Sequence, residues 1–214
     1  MSEPLSDVDV RVLGSLIEKE QTTPEYYPLS LNALVNACNQ ASNRDPVVKY
    51  DEATVTRSID ALRQRGLIRA TRGIDARVMK YAHRVDDVMG LNIREIAVLC
   101  VLMLRGAQTP GELRIRTARI ESFDDLGEVE TTLHALMVRE MVMQLPRQPG
   151  QKELRYAHLL AGEINVAAHA EPTPTGVKPG SADRLSALER TVDELRSELS
   201  AMRAELEEFR RQFE

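Results

Sequence analysis

"DEATVTRSIDALRQRGLIRATR", residues 51–72, carries two periods in succession. Val55, Ile59 and Leu62 recur at spacings of four and three, which predicts a helix starting near Asp51. Gly66 stops it, because glycine adopts the left-handed backbone of a helix cap without strain. "LIRATR" (67–72) then reads as a strand, and "RVMKYAH" (77–83) as its partner across a short turn at Gly73. Upstream, Ser6 caps a helix with Val8, Val12, Leu13, Leu16 and Ile17 on one side, ended by "TTPEYYP" (22–28). A second helix runs from about Ser30 to Ser42 and buries Leu31, Leu34, Val35 and Cys38. Pro46 ends it by disfavouring helix at the residue before it. Three helices followed by a hairpin is the order of a winged-helix domain.

The order then repeats. "NIREIAVLCVLMLRG" (92–106), "TPGELRIRTARI" (109–120) and "DLGEVETTLHALMVRE" (125–140) read as helices. "MVMQLP" (141–146) and "KELRYAHLL" (152–160) form a second hairpin. Val129, Leu133 and Leu136 follow Val55, Ile59 and Leu62 at a constant offset of 74, and "RYAH" (155–158) follows "KYAH" (80–83) at 75. Two tandem copies of one unit explain this. The expected fold class is α+β, mostly helical: two tandem winged-helix domains, 1–86 and 87–164, a flexible linker at 165–182, and a C-terminal coiled-coil helix at 183–214. The linker follows from the Ala, Pro, Thr and Gly of "NVAAHAEPTPTGVKPGSA" (165–182).

In the tail, Leu185, Leu188, Val192, Leu195, Leu199, Met202, Leu206, Phe209 and Phe213 alternate by threes and fours, as in a coiled-coil seam. With Leu185 at position a, the g-to-e′ pairs Arg184–Glu189′, Glu198–Arg203′ and Glu205–Arg210′ are opposite in charge. That matches a parallel homodimer. A tail folded back on its own body is the other reading, and Met202 with two phenylalanines leaves dimer and trimer both open.

Composition narrows the class. Aromatics are 4 % and tryptophan is absent, so the core is aliphatic. Cys38 and Cys100 each sit in an apolar helical pattern without metal or redox spacing, and read as reduced core residues. That usage, with no export signal at the N-terminus, points to the cytoplasm. The longest apolar run, "IAVLCVLML" (96–104), is far short of the ~20 residues of a membrane span.

"VLGSLIEKEQTTPEYYPLSLNALVNACNQASNRDPV" (12–47) and "LMLRGAQTPGELRIRTARIESFDDLGEVETTLHAL" (102–136) resemble the YceH family of bacterial proteins over about residues 8–163. The resemblance implies a tandem winged-helix fold, and it implies function weakly. Ala41 departs from the family pattern, which has a lysine there. Any phosphate contact made by that lysine is missing from this chain.

Charge is distributed unevenly. Residues 57–84 hold eight basic residues against Asp60 and Asp75, inside a chain of net charge −5. Measured from Ile59, the opposite face of the third helix presents Thr54, Arg57, Ala61, Gln64 and Arg65. These residue types contact base edges and phosphates, and a third helix enters the major groove in a winged helix. Arg69, Arg72, Arg77 and Lys80 lie on the hairpin, where a wing meets the DNA backbone or minor groove. The corresponding face of the second copy reads Glu128, Thr131, Ala135, Val138 and Arg139, near Asp124, Asp125 and Glu130. It repels phosphate. The expectation is double-stranded DNA binding by the first copy, in a transcriptional regulator. The alternatives are a solvated basic surface and a protein-interaction scaffold.

Four asparagines, Asn32, Asn36, Asn39 and Asn43, fall within about 60° of one another on a helix, next to Arg44. Asparagine is a poor helix former, so the stripe calls for polar partners. A network holding the first loop and contact with a ligand or protein partner both satisfy it. Arg44 favours an anionic partner. Tyr26 and Tyr27 read as loop anchors, one facing water. His83 and His158 end equivalent strands, which suggests a shared structural role. No catalytic set, phosphate-cradling loop or metal-ligand cluster appears, so no enzyme activity, cofactor or metal is expected.

Overall fold

The computed structural model describes residues 3–72, 78–147 and 153–162. Ser6 caps α1 (Asp7–Thr22) in a reciprocal box: its Oγ accepts from Asp9 N, and the Asp9 carboxylate accepts from Ser6 N at 3.0 Å. A 3-10 turn (Pro24–Tyr26) and β1 (Leu29–Ser30) lead into α2 (Leu31–Cys38), capped by Ser30. Asp51 caps α3 (Glu52–Gln64). Gly66, at φ +74°, follows it, and the bonds Gly66 N to Arg63 O and Leu67 N to Leu62 O close the helix end. β2 (Ile68–Thr71) and β3 (Lys80–His83) form the expected antiparallel hairpin, with Ile68 opposite His83. β1 pairs with the free edge of β3 and makes a three-stranded sheet. At two residues, β1 is too short to show a period in sequence. The same holds for the five-residue α4 (Val85–Met89).

The second unit repeats the order of the first unit's three longer helices and its hairpin. α5 (Ile93–Arg105), α6 (Pro110–Thr117) and α7 (Leu126–Val138) are capped by Asn92, Thr109 and Asp125. β4 (Val142–Gln144) pairs with β5 (Tyr156–His158), and Gln108 bridges Tyr156 where β1 stands in the first unit. α3 and α7 have equal length at the offset of 74, and the bonds that close their ends are homologous. Glu140 takes the place of Gly66 in the left-handed region, at φ +55°.

One continuous aliphatic core joins the two units. α1 packs along α5, and Gly14 makes the close approach possible: a Cβ there would stand 3.0 Å from Leu104 Cδ2. Cys100 Sγ donates to Gly14 O at 3.5 Å, Asp45 N to Leu104 O, and Leu5 N to Leu160 O. Both cysteines are buried and free, and burial pushes the Cys38 thiol up to about 11. Among the described residues, no helix is long and apolar enough to cross a membrane. The expected linker (165–182) and coiled-coil seam (Leu185, Leu188, Val192, Leu195, Leu199, Met202, Leu206, Phe209) lie outside the described residues.

His83 and His158 hold equivalent register positions but have different surroundings. His83 Nδ1 accepts from Val85 N, and its Nε2 stands 2.6 Å from Glu20. His158 keeps partial exposure at its edge, yet its Nδ1 is buried with no partner. Burial lowers the His158 pKa to about 4, against a smaller opposing pull from Asp7. Between about pH 6.5 and about pH 4 the unfolded chain binds a proton that the folded chain refuses. Stability therefore falls as pH drops through that window. Urea unfolding at about pH 7 and about pH 4.5 checks it, and His158→Leu should flatten the difference.

Candidate nucleic-acid interface

The exposed ridge of α3 is rotated from its expected position. Val55, Ser58, Ile59 and Leu62 are buried, and the polar Ser58 belongs to this set because its Oγ donates to Asp9 Oδ1 at 2.6 Å. Averaged over these four, the buried axis lies roughly 50° from Ile59, at 100° per residue; the apolar three alone set it about 33° away, and Ser58 adds the rest. The open ridge is consequently Ala53, Thr56, Arg57, Asp60, Arg63 and Gln64. Thr54 and Ala61 are half-buried, beside a groove formed with Ser6 and Val8 of the first helix. Thr54 keeps a role: its Oγ1 accepts from Arg57 Nη2 at 3.1 Å and holds that guanidinium against the helix.

Arg65 does not stand on the ridge. Its Nη1 donates to Glu3 O at 2.7 Å and its Nη2 to Pro4 O, with the Glu3 carboxylate at 3.6 Å. Arg139, its counterpart, donates to Gly90 O and Met89 O and reaches Glu95. In both units the arginine after the third helix fastens the segment entering the first helix. The DNA-contact expectation for Arg65 gives way to this strut, which uses the carbonyls of an incoming chain the sequence does not mark.

The described basic residues of the hairpin lie open to solvent. Arg69, Arg72 and Lys80 are exposed, as is Arg84 just beyond β3. Arg77 lies outside the described residues. Asp60 lies 3.5 Å from Arg63 and Asp87 lies 3.6 Å from Arg84, all largely exposed pairs that solvent screens. Among the described residues, no carboxylate comes within ion-pair distance of Arg57, Arg69 or Lys80. In the second unit Glu128 is bound by Arg94 at 2.9 Å, and Val138 stands exposed at 72 %.

The asparagine stripe is not one helix face, because α2 ends at Cys38. Asn32 and Asn36 sit on the helix, with a 3.5 Å contact between their amides. Asn39 is the C-cap. Its Nδ2 donates to Tyr50 O at 2.8 Å and its Oδ1 accepts from Tyr50 N at 2.7 Å, so one amide mimics a strand pairing. It pins the segment entering α3, not the expected first loop. Asn43 lies beyond the helix at φ +59°, and its Oδ1 accepts from Arg105. Arg44 is turned inward, with its side chain fully buried. It donates to Ala37 O and to Glu18 Oε2, the latter at 2.6 Å. The anionic partner expected for Arg44 is thus Glu18, inside the fold. Glu18 also receives Arg119 of the second unit at 2.6 Å. This three-residue tie leaves no local signal in the sequence, since its members are far apart along the chain. Tyr26 is exposed, while Tyr27 is anchored: its hydroxyl accepts from His83 N.

Two consecutive three-helix-and-hairpin units, the first with exposed basic residues on its third helix and hairpin, define the class: an α+β protein with small antiparallel sheets. The chain belongs to the family described as protein of unknown function, DUF480, whose profile matches residues 5–151. It is 53 % identical to a UPF0502 protein of Opitutus terrae over 90 % of this chain and 83 % of the relative. It is 51 % identical to a UPF0502 protein of Solibacter usitatus and 50 % to one of Geotalea daltonii, over the full length of both chains. This is the family to which the sequence resemblance pointed.

Proposed function

We propose that the chain binds double-stranded DNA as a transcriptional regulator, and that each unit is a winged helix of which the first makes the contact. The observation that carries this reading is the absence of carboxylate partners at Arg57, Arg69 and Lys80 among the described residues. Arginines neutralised within the fold would have little left for phosphate. These three face solvent along one helix and the adjoining hairpin. Arg63, Arg72, Arg84 and Gln64 flank them. A parallel homodimer through the tail would present two such edges to one duplex.

Fluorescence anisotropy with a generic duplex at two salt concentrations tests it. Binding should weaken steeply with salt, as phosphate contacts release condensed counterions. Arg57→Ala/Arg69→Ala should lower the log–log salt slope by about two. Lack of binding at low salt would remove the reading. A second reading, a protein-interaction scaffold, draws on exposed Ile115, Leu126 and Val138 of the second unit. It predicts no salt-dependent duplex binding.

A further inference from the structure

The seam between the units holds two adjoining clefts. The first is lined by Val101, Leu104, Ile115 and Ile120 on its apolar side and by Arg105, Arg116 and Arg119 on its polar side, with a cavity volume of about 200 Å³. The second opens beside it, between Lys19, Gln40, Ser42 and Asn43, and shares Asn43 and Arg119 with the first. Among the described residues, Glu18 is the only carboxylate lining either cleft, and it is already bound by Arg44 and Arg119. Arg116 is matched by Glu112. Arg105 is held by a neutral acceptor, Asn43 Oδ1 at 2.9 Å. Among the described residues, neither Arg105 nor Lys19 has a carboxylate within ion-pair distance. Burial lowers the Arg105 pKa, and Arg116 and Arg119 lower it further, so positive charge is crowded there.

We infer that this recess is a binding site for a small organic anion: a phosphate or carboxylate head between Arg105, Arg119 and Lys19, with a short apolar body against Ile115 and Ile120. Crowded guanidiniums are stabilised by a shared anion that accepts several charge-assisted hydrogen bonds. Four aliphatic side chains beside the cations suit an apolar body better than they suit water. Among the described residues, none of α3 or of the first hairpin lines either cleft, so this site is separate from the α3 edge. Because both units contribute walls, an occupant would stiffen the joint between them.

The test uses the full chain without DNA. Phenyl phosphate is titrated by calorimetry and in thermal unfolding, with inorganic phosphate alongside. Phenyl phosphate should raise Tm and bind more tightly than inorganic phosphate. Arg105→Gln and Lys19→Gln, on different elements, should each weaken it about tenfold, the loss of one charged hydrogen bond. Lys19 is outside the core, so its variant retains the fold even if the Arg105 variant does not. No Tm rise with millimolar phenyl phosphate, equal affinity for the two probes, or unchanged binding in Lys19→Gln would overturn the assignment.

Discussion

Arg44→Ala is expected to lower the unfolding free energy by about 3–5 kcal/mol, the range for removing one member of a buried ion pair. The Arg44 side chain is 0 % exposed and that of Glu18 is 4 %. Two terms add. Glu18 loses its fully buried partner within the first unit and keeps only Arg119, which is half-exposed. Ala37 O, near the C-terminal end of α2, loses two donors, Nε and Nη2, and its intrahelical partners have already run out. Urea unfolding near neutral pH measures the loss. Glu18→Gln and the double variant complete a cycle whose coupling energy isolates the pair. A loss under about 1 kcal/mol would mean that water replaces the guanidinium and that the site is not closed.

Leu104→Ala should cost about 2–5 kcal/mol, the sum of lost burial and a cavity that the helices cannot close. Leu104 sits on α5 but packs against Gly14 of α1 and is 3 % exposed. Collapse is hindered because Asp45 N is bonded to Leu104 O and holds the neighbouring segment in place. The distinguishing feature is where the loss appears. With one core shared by both units, amide exchange in α3 and in α7 should accelerate together. If α7 alone became labile, the units would be independent folding blocks and the seam only a contact between them.

Much of the architecture was legible because it is repeated and local. The offset of 74 aligns the third helices from their letters alone, and Asp51 and Asp125 cap them. Ser6, Thr109 and Gly66 act as their residue types suggest, since a cap is settled within one turn of chain. The candidate edge was only partly legible. Arg57, Arg69 and Lys80 are where the pattern put them. The ridge itself was misplaced, because Ile59 lies at one edge of the buried set, and because a buried serine looks like a surface serine until its acceptor, Asp9, is known to lie across from it. Hydropathy periods register apolar burial and pass over polar burial.

The same limit explains the segment from Asn32 to Pro46. Its composition announced that many polar groups needed partners, which was correct. It could not say that Asn39 would hold Tyr50, that Asn43 would meet Arg105, or that Arg44 would turn inward to Glu18. Sequence alone determined the three longer helices of each unit, the hairpins and the doubling of the unit, because hydrogen bonds within a few residues and the spacing of apolar side chains set these. Tertiary structure decided which charges remain open to a partner and which are consumed in joining the units. Pairing across 26 or 101 positions of chain depends on where whole helices come to rest, and no local period encodes that.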